Sequence, residues 1–328
     1  MRSTFIVLLF ILVFRTAASS GCGSASCPLT HDRAVHAGIV RLSYIREYID
    51  QDRLRVGTTP AAVGAIPYEH DEVRTINERE VLRLAAGVTD RLSLTAELPF
   101  VRRQHAHIHH DEAGDAWESW NFSGLGDARL GGEIDLVTPG DSSSGVLALN
   151  LGLTLPTGAT DLANAEGETA ELTLQPGTGA HSYSVGARYR TSLGSVRTLV
   201  GERYADVPFY AGADVQWSGE GPLGWRFGRV ITAQMGSSYA LGLDARIMLQ
   251  VNLRTQDYAD VGTTGEPREN TGGVWLYASP GLEIDLPGSL SAYAFLQLPV
   301  YMDVHGIQQV SRYNVQFGIS ADVDLSGE

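Results

Sequence analysis

The chain has 328 residues, 43% of them hydrophobic, which suffices for one large domain or two ordinary ones. Its formal net charge is −14, and lysine does not occur, so every fixed cation is an arginine. So acidic a chain is excluded from nucleic-acid binding, which rests on neutralising phosphates with positive charge.

The first element is a leader. "MRSTFIVLLFILVFRTAASSGCG" sets Arg2 before an unbroken apolar run, Phe5 to Phe14, followed by Arg15 and small residues. That run is too short for a membrane-spanning helix, which needs about 20 residues. It reads as a secretory signal peptide over 1–21, with cleavage between 17 and 21. Residues 22–34 then form a periplasmic N-terminal segment. The only cysteines, Cys22 and Cys27, lie there and are free to pair in an oxidising compartment. Lipidation of Cys22 is the alternative, with Ser19 where such sites usually carry leucine.

From residue 35 onward the chain alternates. In "LSLTAELPF", Leu92, Leu94, Ala96, Leu98 and Phe100 oppose Ser93, Thr95 and Glu97. In "LGLDARIMLQVNLR", Leu243, Ala245, Ile247, Leu249, Val251 and Leu253 oppose Asp244, Arg246, Gln250, Asn252 and Arg254. "GVWLYASPGLEIDL" (273–286) and "YNVQFGISADVDL" (313–325) behave alike. A period of two is a strand with one apolar and one polar face. About twelve such strands are predicted: 35–48, 79–88, 91–101, 124–137, 146–156, 180–191, 208–217, 229–240, 243–254, 273–286, 290–301 and 313–325. Short turns such as "GVTDRL" and "LPGSL" alternate with long polar loops at 50–78, 102–123, 157–178, 218–228, 255–272 and 302–312.

This pattern predicts an all-β fold: a transmembrane antiparallel β-barrel over 35–328, with long external loops and short periplasmic turns. A soluble β-sandwich would show the same alternation with its apolar face turned into a core. The distribution of charge favours the membrane. Glu97, Arg129, Arg188, Asp214 and Arg246 all fall on the polar parity, and a charge facing lipid costs about 2–4 kcal/mol at the midplane. Phe100, Tyr183, Tyr189, Phe209, Trp217, Tyr239 and Tyr313 fall on the apolar parity near strand ends, as interfacial girdles do. The first strand, "VHAGIVRLSYIREYI", fits this pattern least well.

Five stretches in this order carry a family resemblance: "GVTDRLSLTAELPFV", "FSGLGDARLGGEI", "LGLTLPTGATD", "ENTGGVWLYASPGLEI" and "LQLPVYMDVHGIQQV". From about residue 79 onward the chain resembles the bacterial outer-membrane β-barrel transporters of the meta-pathway of phenol degradation type. The resemblance implies a bacterial outer-membrane barrel that passes small, often hydrophobic or aromatic, molecules. Its partners would be outer-membrane lipid, the barrel assembly machinery and a small-molecule solute. Such barrels usually finish on an aromatic residue, whereas Leu325 is the last apolar residue here.

No "GxSxG", "HExxH" or phosphate-binding loop occurs, so no enzyme is expected. The lumen candidates are Trp275, Tyr277, Tyr293 and Phe295, with Tyr301 on the same expected face. They either stack an aromatic solute or simply fill space. Arg188, Arg190, Arg246, Glu283 and Asp285 are expected inward, as a polar constriction or as pairs neutralised across the lumen.

"RRQHAHIHHDE" (102–112) raises a second possibility. His105, His107 and His109 share a parity with Glu97, so an upward continuation of that strand would aim them above the lumen, with Asp111 next. His70 in "YEHDE" lies at the same end, as do His181 and His305, so seven of the nine histidines gather there. Imidazoles at alternate positions are ligands for Zn, Cu or Ni. Ordinary solvated loop histidines and a pH-responsive loop are the competing readings. The expected function is passive passage of small molecules. The alternative is a metal-binding outer-membrane barrel using His-rich external loops.

Overall fold

The computed structural model describes residues 35–65, 70–111, 114–137, 145–200, 203–242 and 244–325. The leader, the 22–34 segment and both cysteines lie outside them, as do the side chains of His70 and Asp111.

The strands are β1 (Ile39–Gln51), β2 (Arg53–Gly57), β3 (Thr59–Ala61), β4 (His70–Gly87), β5 (Leu92–Asp111), β6 (Gly114–Leu125), β7 (Ala128–Val137) and β8 (Val146–Leu155). There follow β9 (Ser182–Arg197), β10 (Tyr204–Ser218), β11 (Val230–Ala240), β12 (Ala245–Gln256), β13 (Gly273–Leu286), β14 (Leu290–Val310) and β15 (Asn314–Asp324). β6 and β7 pair with the upper and lower halves of β5, so together they serve as one barrel strand. Antiparallel pairing runs from β1 through β4, β5, β7 and onward to β15, and β15 pairs with β1. The result is a closed 12-strand barrel, whose sheet returns on itself through the β15–β1 pair.

The apolar parity faces outward, as expected. Leu98, Leu249, Leu282 and Ile319 are exposed, while Ser43, Gln250, Ser279 and Ser320 on the other parity are buried. Among the described residues no helix is long and apolar enough to cross a membrane; a closed barrel is the other backbone arrangement that can span one. The first strand departs from the rule for a local reason. Arg46 pairs in register with Glu80 and bonds Glu78 at 2.5 Å, at the level of Phe100, where the outward row of β5 changes from Leu98 and Phe100 to Arg102 and Gln104. These outward charges therefore sit at the upper boundary of the apolar belt, where a charge costs little.

Three expectations are corrected above that boundary. The segment 102–123 is no loop: β5 continues to Asp111 and returns as β6, a hairpin rising above the belt. Likewise β4 begins at His70. Polar residues on both faces conceal these strands, because no lipid enforces the alternation there. The third correction concerns 302–312. β14 runs to Val310, yet β14 and β15 pair only up to Gln297 and Asn314. Thirteen more residues of straight strand would carry the chain roughly 40 Å beyond Gln297, and the four steps from Val310 to Asn314 recover at most about 14 Å. The strand must reverse. Gly306, with φ +52°, follows Val304, and 307–310 then pair antiparallel to β2.

Candidate functional site

The lower lumen is ionic, and its charges are matched along the wall rather than across the lumen. Arg188 reaches Glu133 at 3.1 Å, and Arg190 bonds Glu133 and also Asp135 at 2.8 Å. Arg246 lies 3.7 Å from both Glu283 and Asp285. Arg83 and Arg129 flank Glu97 at 3.5 and 3.8 Å. Each pair joins strands that are adjacent or separated by one, the reach of long side chains on a common face.

The aromatic candidates separate into two roles. Phe295 is in register with Gly281 and Tyr293 with Gly318, and a Cβ built on either glycine would fall within about 2.5 Å of the ring. The rings occupy space that the glycines leave open, and Tyr277 is wholly buried between them and the upper lumen. These three fill the barrel. Trp275 instead reaches the wall of a cavity above. Tyr301 corrects the expected face: opposite Leu276 and Tyr277 the partners are Tyr301 and Pro299, so Val300 is an extra residue. This bulge reverses the parity beyond it. Tyr301 turns outward, 46% exposed, and Met302 and Val304 turn in.

Two segments close over the upper lumen. One is the reversed 307–310 stretch with β2, whose Val310 packs with Trp275 and Tyr277. The other is the loop between β8 and β9. It is held from "GLGD", the junction of β6 and β7, where the buried Asp127 accepts bonds from Gly158 N at 2.9 Å, Thr178 N at 2.8 Å and Thr178 Oγ1 at 2.6 Å. Ala170 and Leu174 of this loop pack on Trp120. Between the two segments remains a cavity of about 480 Å³. Its lining is mixed: Trp225, Phe227, Trp275, Leu54, Leu174 and Ile307 form apolar patches, and polar residues, among them Glu72, Thr75, Glu171 and Arg254, make up more than half of the residues in the wall. Trp225 and Phe227 lie between β10 and β11 in a stretch without alternation, so the sequence offered no sign of their direction.

The histidines stand on the inner face of the β4–β5–β6 wall. His105 and His107 are buried; His109, on the same parity, is partly exposed. His105 Nδ1 meets Thr75 Oγ1 at 2.8 Å, and that hydroxyl donates its proton to Gln309 Oε1. His105 Nε2 faces His107 Nδ1 at 3.4 Å, and His107 Nε2 meets Glu118 Oε2 at 2.8 Å. Glu72 lies 3.7 Å from His105 Nδ1. Two sets of donor atoms gather within 4.8 Å of one another: Glu72, His105 and His107; and His107, His109 and Glu118. Glu72 and Glu118 were not anticipated. A bulge at Val73 puts Glu72 opposite His107 instead of on the outer face, and Glu118 arrives only because β6 pairs with β5. His110 faces away, bonded to Asp115 and Asp71 at 2.8 and 3.0 Å.

No protein-family model matches the chain, and no curated protein matches it. Among solved structures it is similar to an outer membrane channel from Pseudomonas putida F1, with a TM-score of 0.63 at 14% identity over 91% of this chain and 100% of that one. Looser likenesses are the transport unit of the autotransporter AIDA-I from Escherichia coli (TM-score 0.49, 9% identity, 90% and 93% covered) and the P. putida toluene transporter TodX (TM-score 0.42, 12%, 89% and 91%). Both are too distant to bear on function. The likeness is one of fold: a closed 12-strand antiparallel β-barrel, as in that outer membrane channel.

Proposed function

We propose that this barrel is a channel for passive passage of small hydrophobic or aromatic molecules. Its belt contacts outer-membrane lipid, and its strands are inserted by the barrel assembly machinery. The observation that carries the reading is the cavity of about 480 Å³ between the two inward segments. Its volume lies within the range of small-molecule pockets, about 300–1,000 Å³, and the apolar part of its mixed lining includes aromatic rings. Trp225, Phe227 and Trp275 offer ring faces for an aromatic solute, while Glu72 and Arg254 fix its orientation. Matched charges below leave no strong field of one sign to select an ion.

The test uses N-phenyl-1-naphthylamine, whose fluorescence rises in apolar surroundings, titrated into protein folded in detergent micelles. Binding should saturate near one probe per chain. Trp225→Ala with Trp275→Ala should abolish the saturable component while leaving the heat-dependent gel shift of a folded barrel. A signal that partitions linearly, or is the same in the double variant, would remove the basis for this reading.

A further inference from the structure

We propose that Glu72, His105 and His107 bind one divalent transition-metal ion of the Zn2+ class, with Thr75 and Glu118 as positioning residues. The argument starts from protons. Thr75 Oγ1 holds His105 Nδ1 at 2.8 Å; with the hydrogen on that nitrogen, Nε2 of His105 presents its lone pair. At the other ring, an ionised Glu118 can only accept, so Nε2 of His107 carries the hydrogen and Nδ1 the lone pair. In this pair of tautomers the two lone pairs converge on one point between His105 Nε2 and His107 Nδ1, which stand 3.4 Å apart, and a cation placed there is held by both rings.

Distance separates a proton from a metal ion. Hydrogen bonds from N–H groups are usually about 2.7–3.2 Å between heavy atoms. Two nitrogens on a tetrahedral ion, each about 2.05 Å from it, are about 3.3 Å apart. The observed 3.4 Å fits the edge of a tetrahedron. The remote nitrogen of each ring is held by a hydroxyl or a carboxylate, which fixes tautomer and orientation as metal-binding histidines require. The Glu72 carboxylate, 3.7 Å from the Nδ1 edge of His105, brings the third donor: one ligand atom of each of the three residues lies within 4.8 Å of the others. Both rings lean on Trp120, with centroids 5.7 and 4.8 Å away, in a buried setting that disfavours loss of the ion to solvent. Because Glu72 also lines the cavity, the ion would stand at the edge of the solute path and tie β4 to β5.

The experiment uses full-length protein without a polyhistidine tag, folded in detergent and treated with chelator. Loaded with Zn2+ and desalted, it should retain one ion per chain. Co2+ should give the visible bands of a tetrahedral site and quench part of the tryptophan emission, from Trp120. Glu72→Gln should weaken binding at least tenfold, and His105→Gln with His107→Gln should abolish it, while His109→Ala and His110→Ala leave it unchanged. Glu118→Gln should weaken affinity roughly 10- to 100-fold, as loss of an outer-shell partner does. Should the double variant fail to show the gel shift of a folded barrel, Glu72→Gln at the cavity wall carries the test. Absence of a retained ion in the wild type, wild-type binding by Glu72→Gln and the double variant, or loss of binding in His109→Ala would overturn the assignment.

Discussion

Leu249→Arg tests the orientation on which every other statement depends. Leu249 is 55% exposed on the outward face of β12, between Ser237 and Pro280. The outward row of that strand runs Ala245, Ile247, Leu249, Val251, Leu253, Thr255, and Leu249 is one residue from its centre. At the midplane of the belt an arginine costs about 2–4 kcal/mol, equivalent to about 30- to 700-fold in the folding equilibrium. Thr255 is six residues further along the same row. At about 3.4 Å per residue and a tilt near 40°, it lies about 15 Å closer to the external side, beyond the half-height of a belt about 25 Å tall. Thr255→Arg should therefore cost only about 0–1 kcal/mol. Equilibrium urea unfolding of protein folded into phospholipid vesicles measures both, with the gel shift as a check on assembly. Arginine at Gln250 is no neutral control, because that inward side chain is only 1% exposed and the substitution would test packing. Equal costs at 249 and 255, or less than about 1 kcal/mol at 249, would refute the lipid-facing assignment.

Asp127→Ala removes the acceptor of three bonds to the β8–β9 loop, weakening its docking by about 3 kcal/mol or more. Single-channel conductance should rise, and unchanged conductance would mean the loop does not restrict the lumen. Gly281→Ala forces a Cβ to about 2.4 Å from the Phe295 ring and should destabilise the barrel by about 1–3 kcal/mol. Phe295→Leu in the same chain should recover part of that loss, and strict additivity in urea unfolding would contradict the packing argument. His110 has a raised pKa, caused first by its bond to Asp115 and then by Asp71. The protonated ring then stabilises the β5–β6 hairpin fully below the ordinary value of 6.5, and this contribution is lost as pH rises through the raised pKa. Amide exchange at the hairpin tip, corrected for intrinsic rates, should accelerate above that pH in the wild type and not in His110→Ala.

The strand faces could be read directly from the sequence, and so could the number of barrel strands. Side chains alternate with a period of two, and lipid penalises any charge on one face, so Leu249 and Gln250 declare their directions without knowledge of their neighbours. "RRQHAHIHHDE" was legible in part for the same reason: parity with Glu97 places His105 and His107 on the inner face once the strand continues. Beyond the belt that constraint ends, and pairing decides. The Val73 bulge turns Glu72 toward His107, and the extra Val300 turns Tyr301 out and Met302 in. The reversal at Gly306 and the docking of Thr178 on Asp127 bring Ile307, Leu174, Trp225 and Trp275 around one cavity. Each of these depends on a contact between residues far apart in the chain, so only the closed barrel could set the cavity walls and the third donor beside the two buried histidines.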